Sequence, residues 1–376
     1  MTENSNTDSK AQKNPCRPVV IVNQKQLTEY QECLHHLFAG LAEKSVKSAL
    51  VCPADGDFDF VLSPSTELFH HPLLKRPFFS KQNRQSVLEK LTKFKPTVLH
   101  CFSSAKAGLT RSLAEELNIP FILTFSSSSH KKLKKTIKSP NCTTLLALSR
   151  DVANQLRQNH KYFQGTVKQL NTGTFVEDTC ACFSDPNRVI SMIIAEPLKN
   201  PDDLKAILNA VRHLAVDGYE FILAIIGKGP AERQLHKIIR HLSLSQIVTV
   251  VPEIHPLRSV FSEADIFIQP KTRPEFNSPL LEAMGAGMVV AASRKTCEDI
   301  LIKDETAVFF DTSNELSAYS CLQKLIDNKP MARQIASTGQ QYLRENYTVT
   351  KMVDSLLDSY KQARKLHEKK QQQNTE

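Results

Sequence analysis

Nowhere in the 376 residues does an apolar run approach the ~18 residues that a membrane-spanning helix needs, so a spanning segment is excluded. The opening stretch, MTENSNTDSKAQKNP, lacks the apolar block of a secretory signal, and the chain is expected to be cytoplasmic. Of nine cysteines only Cys180 and Cys182 are close together, and no second Cys or His pair stands at zinc spacing. Most of the others sit inside apolar runs such as ALVCP and VLHCF, which favours reduced, buried thiols over a disulfide framework or a zinc site. Extremes of composition are also missing: 41% hydrophobic and 23% charged residues are near globular averages, against wholesale disorder or a coiled coil.

What is present is unevenly distributed. Residues 1–170 carry 24 Lys+Arg against 13 Asp+Glu, or +11, whereas residues 171–376 carry 24 against 26, or −2. Either the first half meets something anionic, or surface lysines happen to cluster there. The length suggests two domains. Residues 1–15 read as a disordered leader, 16–170 as an N-terminal domain, 171–346 as a C-terminal domain, and 347–376 as a final helix with a polar tail.

Pro18–Val22 is a buried-type strand, and Thr28 with Gln31 makes a capping-box start for a helix carrying Cys33, Leu34, Leu37, Phe38 and Leu41. Strand Ala49–Cys52 follows, then an aperiodic stretch of about 53–83 read as loop with a weak strand. Strands Thr97–Phe102, Phe121–Phe125 and Thr144–Ser149 and helices Ala105–Leu117 and Val152–Gln158 complete the first series. The second series has strands Val189–Ala195, Phe221–Ile226, Ile247–Val251, Ile266–Gln269 and Met288–Ala292 with helices between them, then helices over 314–327, 330–346 and 350–366. Alternation of this kind predicts two doubly wound α/β domains with parallel sheets, facing a cleft that would hold the ligand.

Two features of the second series carry chemistry. Gly227-Lys228-Gly229-Pro230 stands between a strand and a helix, where backbone N–H groups can approach a phosphate; the competing reading is a purely structural turn. Glu282 lies in a helix of small apolar residues, where a carboxylate costs desolvation unless it has a partner. It is suited to accept hydrogen bonds from the vicinal hydroxyls of a ribose, or else to stabilise the first helical turn through the dipole. The basic run His130–Lys135, with Lys131, Lys132, Lys134 and Lys135, is either a patch facing an anionic membrane or a solubilising loop. Nucleic acid is not expected, because no aromatics interleave the lysines.

The order of Leu198-Lys199-Asn200-Pro201, Gly227-Lys228-Gly229-Pro230, Ala264-Asp265-Ile266-Phe267-Ile268-Gln269-Pro270 and Phe276-Asn277-Ser278-Pro279-Leu280-Leu281-Glu282-Ala283-Met284 resembles the nucleotide-sugar domain of the family 4, or group 1, glycosyltransferases. Looser matches in the first half are Val98-Leu99-His100, Ile119–Thr124 and Ala147–Arg150. The resemblance implies the GT-B fold, with a C-terminal helix crossing back to the first domain. It further implies a nucleoside-diphosphate sugar as substrate, with Lys199, Gly227, Lys228 and Gly229 on the diphosphate and Glu282 on the ribose. No metal or other cofactor is expected, and Asp55, Asp57 and Asp59 read as a solvated loop.

This is a divergent member. No glycine follows the first strand; the family's Arg before Lys199 is missing, with Glu196 near its place; and Ser126 stands where the family has His. The first of the family's two spaced glutamates falls on Pro274, leaving Glu275, one residue late, as the catalytic candidate. The expected activity is retaining transfer of a sugar to a glycan, lipid or protein, with peripheral contact to an anionic membrane face. The alternative is a catalytically impaired relative that binds a nucleotide or a protein partner.

Overall fold

The structure is a computed structural model and describes residues 15–54, 64–72, 80–127, 133–271, 277–294 and 298–373. The expected leader, the acidic trio at 55, 57 and 59, Lys131, Lys132, Pro274 and Glu275 lie outside the described residues. The chain forms two compact units. Met1–Ala147, Val152–Leu170 and Val353–Glu376 make the first; Leu148–Asp151 and Asn171–Met352 make the second.

The first unit is built on strands β1 Pro18–Ile21, β2 Ser48–Cys52, β3 Thr66–His70, β4 Val98–Cys101, β5 Phe121–Phe125, β6 Cys142–Ala147 and β7 Thr166–Gln169. They form one sheet in the order β3-β2-β1-β4-β5-β6-β7, with every pair parallel. Inner strands such as FILTF and CTTLLA are buried along their whole length, because helices cover both faces of a parallel sheet. The second unit carries β8 Ile190–Ala195, β9 Phe221–Ile226, β10 Val248–Val251, β11 Ile266–Gln269, β12 Val289–Ser293 and β13 Val308–Phe310, again parallel, in the order β10-β9-β8-β11-β12-β13. Both orders reverse once, between β1 and β4 and between β8 and β11. Those are the topological switch points, where ligands of doubly wound sheets sit beyond the carboxyl ends of the strands.

Several elements depart from the sequence expectation. Strand β3 falls in the stretch read as loop with a weak strand, β7 and β13 were not foreseen, and all three are edge strands. The helix Ser80–Phe94 fills part of the stretch read as loop and continues beyond it, burying Val87, Leu88, Leu91 and Phe94. The helix carrying Cys33–Leu41 starts at Gln31 with Tyr30 as N-cap and no side-chain cap bond, not at a Thr28 capping box. Thr28 lies in a separate short helix Gln24–Glu29, where Asn23 accepts from the Gln26 backbone N–H and the Thr28 hydroxyl donates back to the Gln24 carbonyl. The final helix, Val349–Gln373, runs beyond the expected end at 366 through part of the polar tail. Among the described residues no helix is long and apolar enough to cross a membrane. The eight described cysteines are free thiols, six of them buried.

Candidate functional site

The switch point of the second unit gathers the loops after β8, β9 and β11. Residues after β8 turn through Glu196–Asn200, and the Asn200 side chain accepts from the Asp202 N–H to start the turn Pro201–Leu204 that leads into the helix Lys205–Val216. The loop after β9 lies against this turn. Leu198 N–H donates to the Lys228 carbonyl at 3.0 Å, and Ala231 N–H to the Leu198 carbonyl at 3.1 Å. That approach leaves no room for side chains: a Cβ at Gly227 would stand 2.0 Å from the Glu196 carbonyl oxygen, and one at Gly229 2.0 Å from that of Leu198. Both glycines are therefore required by loop packing. The Gly227 N–H donates to the Val251 carbonyl at 3.0 Å, so it is already engaged within the sheet. Lys199 and Lys228 are exposed on this edge.

Beneath the loops runs a buried polar chain. The Gln269 amide, at the end of β11, donates to the Glu196 carboxylate at 2.5 Å, and the Asn277 amide donates to the Gln269 carbonyl oxygen. All three side chains are buried. Glu196 thus turns into the protein and ties β8 to β11, rather than standing where a cation would meet a phosphate. Asn277 is the N-cap residue of the helix Ser278–Ala286, yet its side chain makes no cap bond, because it is used on Gln269. Beside the chain, a narrow recess is lined by Glu196, Asn200, Asp203 and Lys271, the last two forming an ion pair.

Glu282 lies one turn inside the helix Ser278–Ala286, not in its first turn, so the dipole reading is set aside. It is 3% exposed, and its carboxylate accepts from the Thr174 hydroxyl at 2.7 Å. The segment around Thr174–Cys182 runs along the end of that helix: Glu177 N–H bonds the Gly285 carbonyl, and Cys182 N–H the Gly287 carbonyl. A Cβ at Gly285 would meet the Phe175 carbonyl oxygen at 2.6 Å. Gly287 closes the helix with φ +81°, a left-handed conformation that suits glycine. The Asp265 of the ADIF stretch has a structural task. Its carboxylate accepts from the Phe183 and Ser191 backbone N–H groups and pairs with Arg188 at 2.9 Å.

Lys199, Gly227, Lys228 and Gly229 are thus brought together by the paired loops after β8 and β9, and Glu282 sits on the helix that follows β11, the strand next to β8. Lys134 and Lys135 belong to the first unit, exposed on the short helix Lys134–Ile137. Sequence reasoning did not foresee the Glu196–Gln269–Asn277 chain. Two signals were available: a glutamine closing the apolar strand IFIQ, and an asparagine just before the Ser-Pro helix start.

It also missed a group at the carboxyl edge of the first sheet, where Lys106 Nζ donates to the His71 carbonyl at 3.1 Å and stands 3.2 Å from His71 Nδ1. Burial, with the Lys106 charge adding to it, pushes His71 down to about 4. Burial likewise lowers Lys106.

Residues 182–342 match the family model described as glycosyl transferases group 1. Among solved structures, the chain is similar to a glycosyltransferase from Rickettsia africae, with 15% identity and a TM-score of 0.75 over 93% of this chain and 99% of that one. It is similar to HepE of Anabaena, solved with UDP and glucose, with 13% identity and a TM-score of 0.74 over 91% of this chain and 98% of that one. It is also similar to sucrose-phosphate synthase of Thermosynechococcus elongatus, at 15% identity and a TM-score of 0.71 over 92% and 98% of the two chains. No curated protein sequence matches the chain.

Proposed function

We propose that the chain is a group 1 glycosyltransferase, as the match of residues 182–342 supports, and that it moves a sugar from a nucleoside-diphosphate donor to a glycan, lipid or protein acceptor, with retention of configuration. Membership of family 4 within the group is part of the same proposal. The observation that carries it is the coincidence of the matched domain with a switch-point edge bearing exposed lysines and a buried glutamate. The UDP and glucose bound by HepE make a UDP-sugar the first donor to try. The comparisons do not favour the reading as a non-catalytic relative.

In such a transfer the leaving nucleoside diphosphate gathers negative charge while the sugar becomes cationic, and fixed cations and N–H donors lower the barrier by meeting the former. Lys199, Lys228 and the Gly229 turn are assigned to the diphosphate, and Glu282 to the ribose. Gly227 is assigned only to holding the turn, since its N–H is engaged by Val251. Glu275 remains the catalytic candidate, and Pro274→Glu, which restores the family's spacing, should raise transfer activity. No metal or resident cofactor enters the scheme.

A thermal-shift panel of UDP-, GDP- and ADP-sugars tests the reading. A donor at ~100 times its dissociation constant should add about 2.7 kcal/mol of stability. Stabilisation by one nucleotide class, weakened about ten- to a hundredfold in affinity by Lys199→Gln, is the expected outcome. No response to any nucleotide sugar would overturn the assignment.

A further inference from the structure

The first unit holds a second recess, of about 360 Å³, that the transferase reading does not use. It lies at the amino-terminal edge of the sheet, opposite the switch point. Cys142, the first residue of β6, lines it, as do Phe163 and Gln164, just before β7. Lys138, at the end of the short helix Lys134–Ile137, and Lys370, in the last turn of the helix Val349–Gln373, border it from two sides. Tyr162 forms an aromatic wall. Lys134 Nζ stands 5.8 Å and Lys138 Nζ 5.3 Å from the centre of its ring.

Three ammonium groups therefore gather around one recess, and among the described residues none of them is ion-paired. Lys134 and Lys138 are also four residues apart on one short helical stretch, a spacing at which like charges repel. The Tyr162 ring offsets part of that repulsion through cation–π attraction, which holds two cations against one ring without neutralising either. An anion would relieve it. Lysine ammonium groups are compact point charges that suit the spherical charge of a phosphate, and the ring and the Gln164 and Gln373 amides could face the rest of a small phosphorylated molecule.

We propose that this recess, walled by Lys138, Lys370 and Tyr162, is a binding site for a phosphate group, carried by a soluble phosphorylated molecule or by an anionic lipid headgroup. The site is independent of donor binding.

Inorganic pyrophosphate, titrated calorimetrically into the full chain, is the first probe, with two variants beside the wild type. In the double variant Lys138→Gln/Lys370→Gln the affinity should fall at least tenfold. In Lys237→Gln, which alters an exposed position on the helix Glu232–His241 of the other unit, it should stay within twofold. Both lysines sit at the surface edge of the recess, and an unchanged melting temperature of the double variant will show that the fold is kept. Equal affinity in wild type and double variant overturns the proposal, as does an absence of any pyrophosphate binding combined with unchanged vesicle binding. The second arm uses vesicles of phosphatidylcholine with and without phosphatidylglycerol. If the double variant binds the anionic vesicles less well, the phosphate belongs to a lipid headgroup. If it binds them as the wild type does while losing pyrophosphate, the ligand is soluble.

Discussion

A carboxylate placed among small apolar residues must find hydrogen-bond donors, and Glu282 finds one in the Thr174 hydroxyl. Glutamine keeps an oxygen acceptor for that hydroxyl but not the charge, so Glu282→Gln should leave melting nearly unchanged while nucleotide affinity falls about tenfold or more, each charge-assisted bond being worth roughly 1.5–3 kcal/mol. Unchanged affinity would remove Glu282 from the donor site. His100 is a second buried polar group that finds its partners inside the first unit. It is fully buried, with Nδ1 2.8 Å from the Tyr360 hydroxyl and Nε2 2.6 Å from that of Thr124, and burial pushes it down to about 3. The depressed value means that the folded unit holds the neutral ring. This contribution is whole above the unfolded value near 6.5 and is lost as pH falls from there towards 3, by about 1.4 kcal/mol per pH unit. Hydrogen exchange of the β4 and β5 amides should therefore show a wild-type advantage over His100→Gln that shrinks by about 3 kcal/mol between pH 6.5 and pH 4. A constant difference would mean that another group titrates. From sequence, His100 matched a loosely resembling motif, but its burial depends on Tyr360, 260 residues away, and no local pattern carries that.

At the scale of elements, the helix Val349–Gln373 matters most to the first unit, to which its residues from Val353 onward belong. Tyr360 is among the largest fully buried side chains of the chain. Tyr360→Phe keeps the ring but strands a buried imidazole nitrogen, at a cost of about 1–3 kcal/mol. Tyr360→Ala adds a cavity and should cost about 3–5 kcal/mol. Thermal unfolding that ranks wild type, phenylalanine and alanine in that order is expected; equal melting of wild type and the phenylalanine variant would show that the hydroxyl contributes nothing. The inner strands were legible because burial on both faces makes them continuous apolar runs, as in PVVI and FILTF. The edge strands β3 and β7, TELFH and TVKQ, are only partly buried and carry mixed residues, so no run marks them. At the site, the two glycines and Glu282 were legible as types. The engagement of the Gly227 N–H and the inward turn of Glu196 were not, since both follow from which strands become neighbours.

Across the whole molecule, charge is divided more sharply by unit than by half. The first unit holds 28 Lys+Arg against 16 Asp+Glu, or +12, and the second holds 20 against 23, or −3. A field of one sign on one unit raises the encounter rate with anionic partners and weakens as salt rises. We expect the first unit to meet an anionic membrane through Lys131, Lys132, Lys134 and Lys135, each basic residue near such a surface being worth about 1 kcal/mol. Reversing all four to glutamate should then reduce vesicle partitioning by a factor on the order of a thousand. Co-sedimentation with vesicles containing phosphatidylglycerol should also fall as ionic strength rises, because exposed charges are screened over about 8 Å at physiological salt. This patch and the Lys138–Lys370 recess separate by variant: a reversal of Lys131, Lys132 and Lys135 that spares Lys134 should leave pyrophosphate affinity within a few-fold of wild type, whereas the recess variant should not. Partitioning that ignores both lipid charge and salt would exclude electrostatic docking and leave the +12 of the first unit without a membrane role.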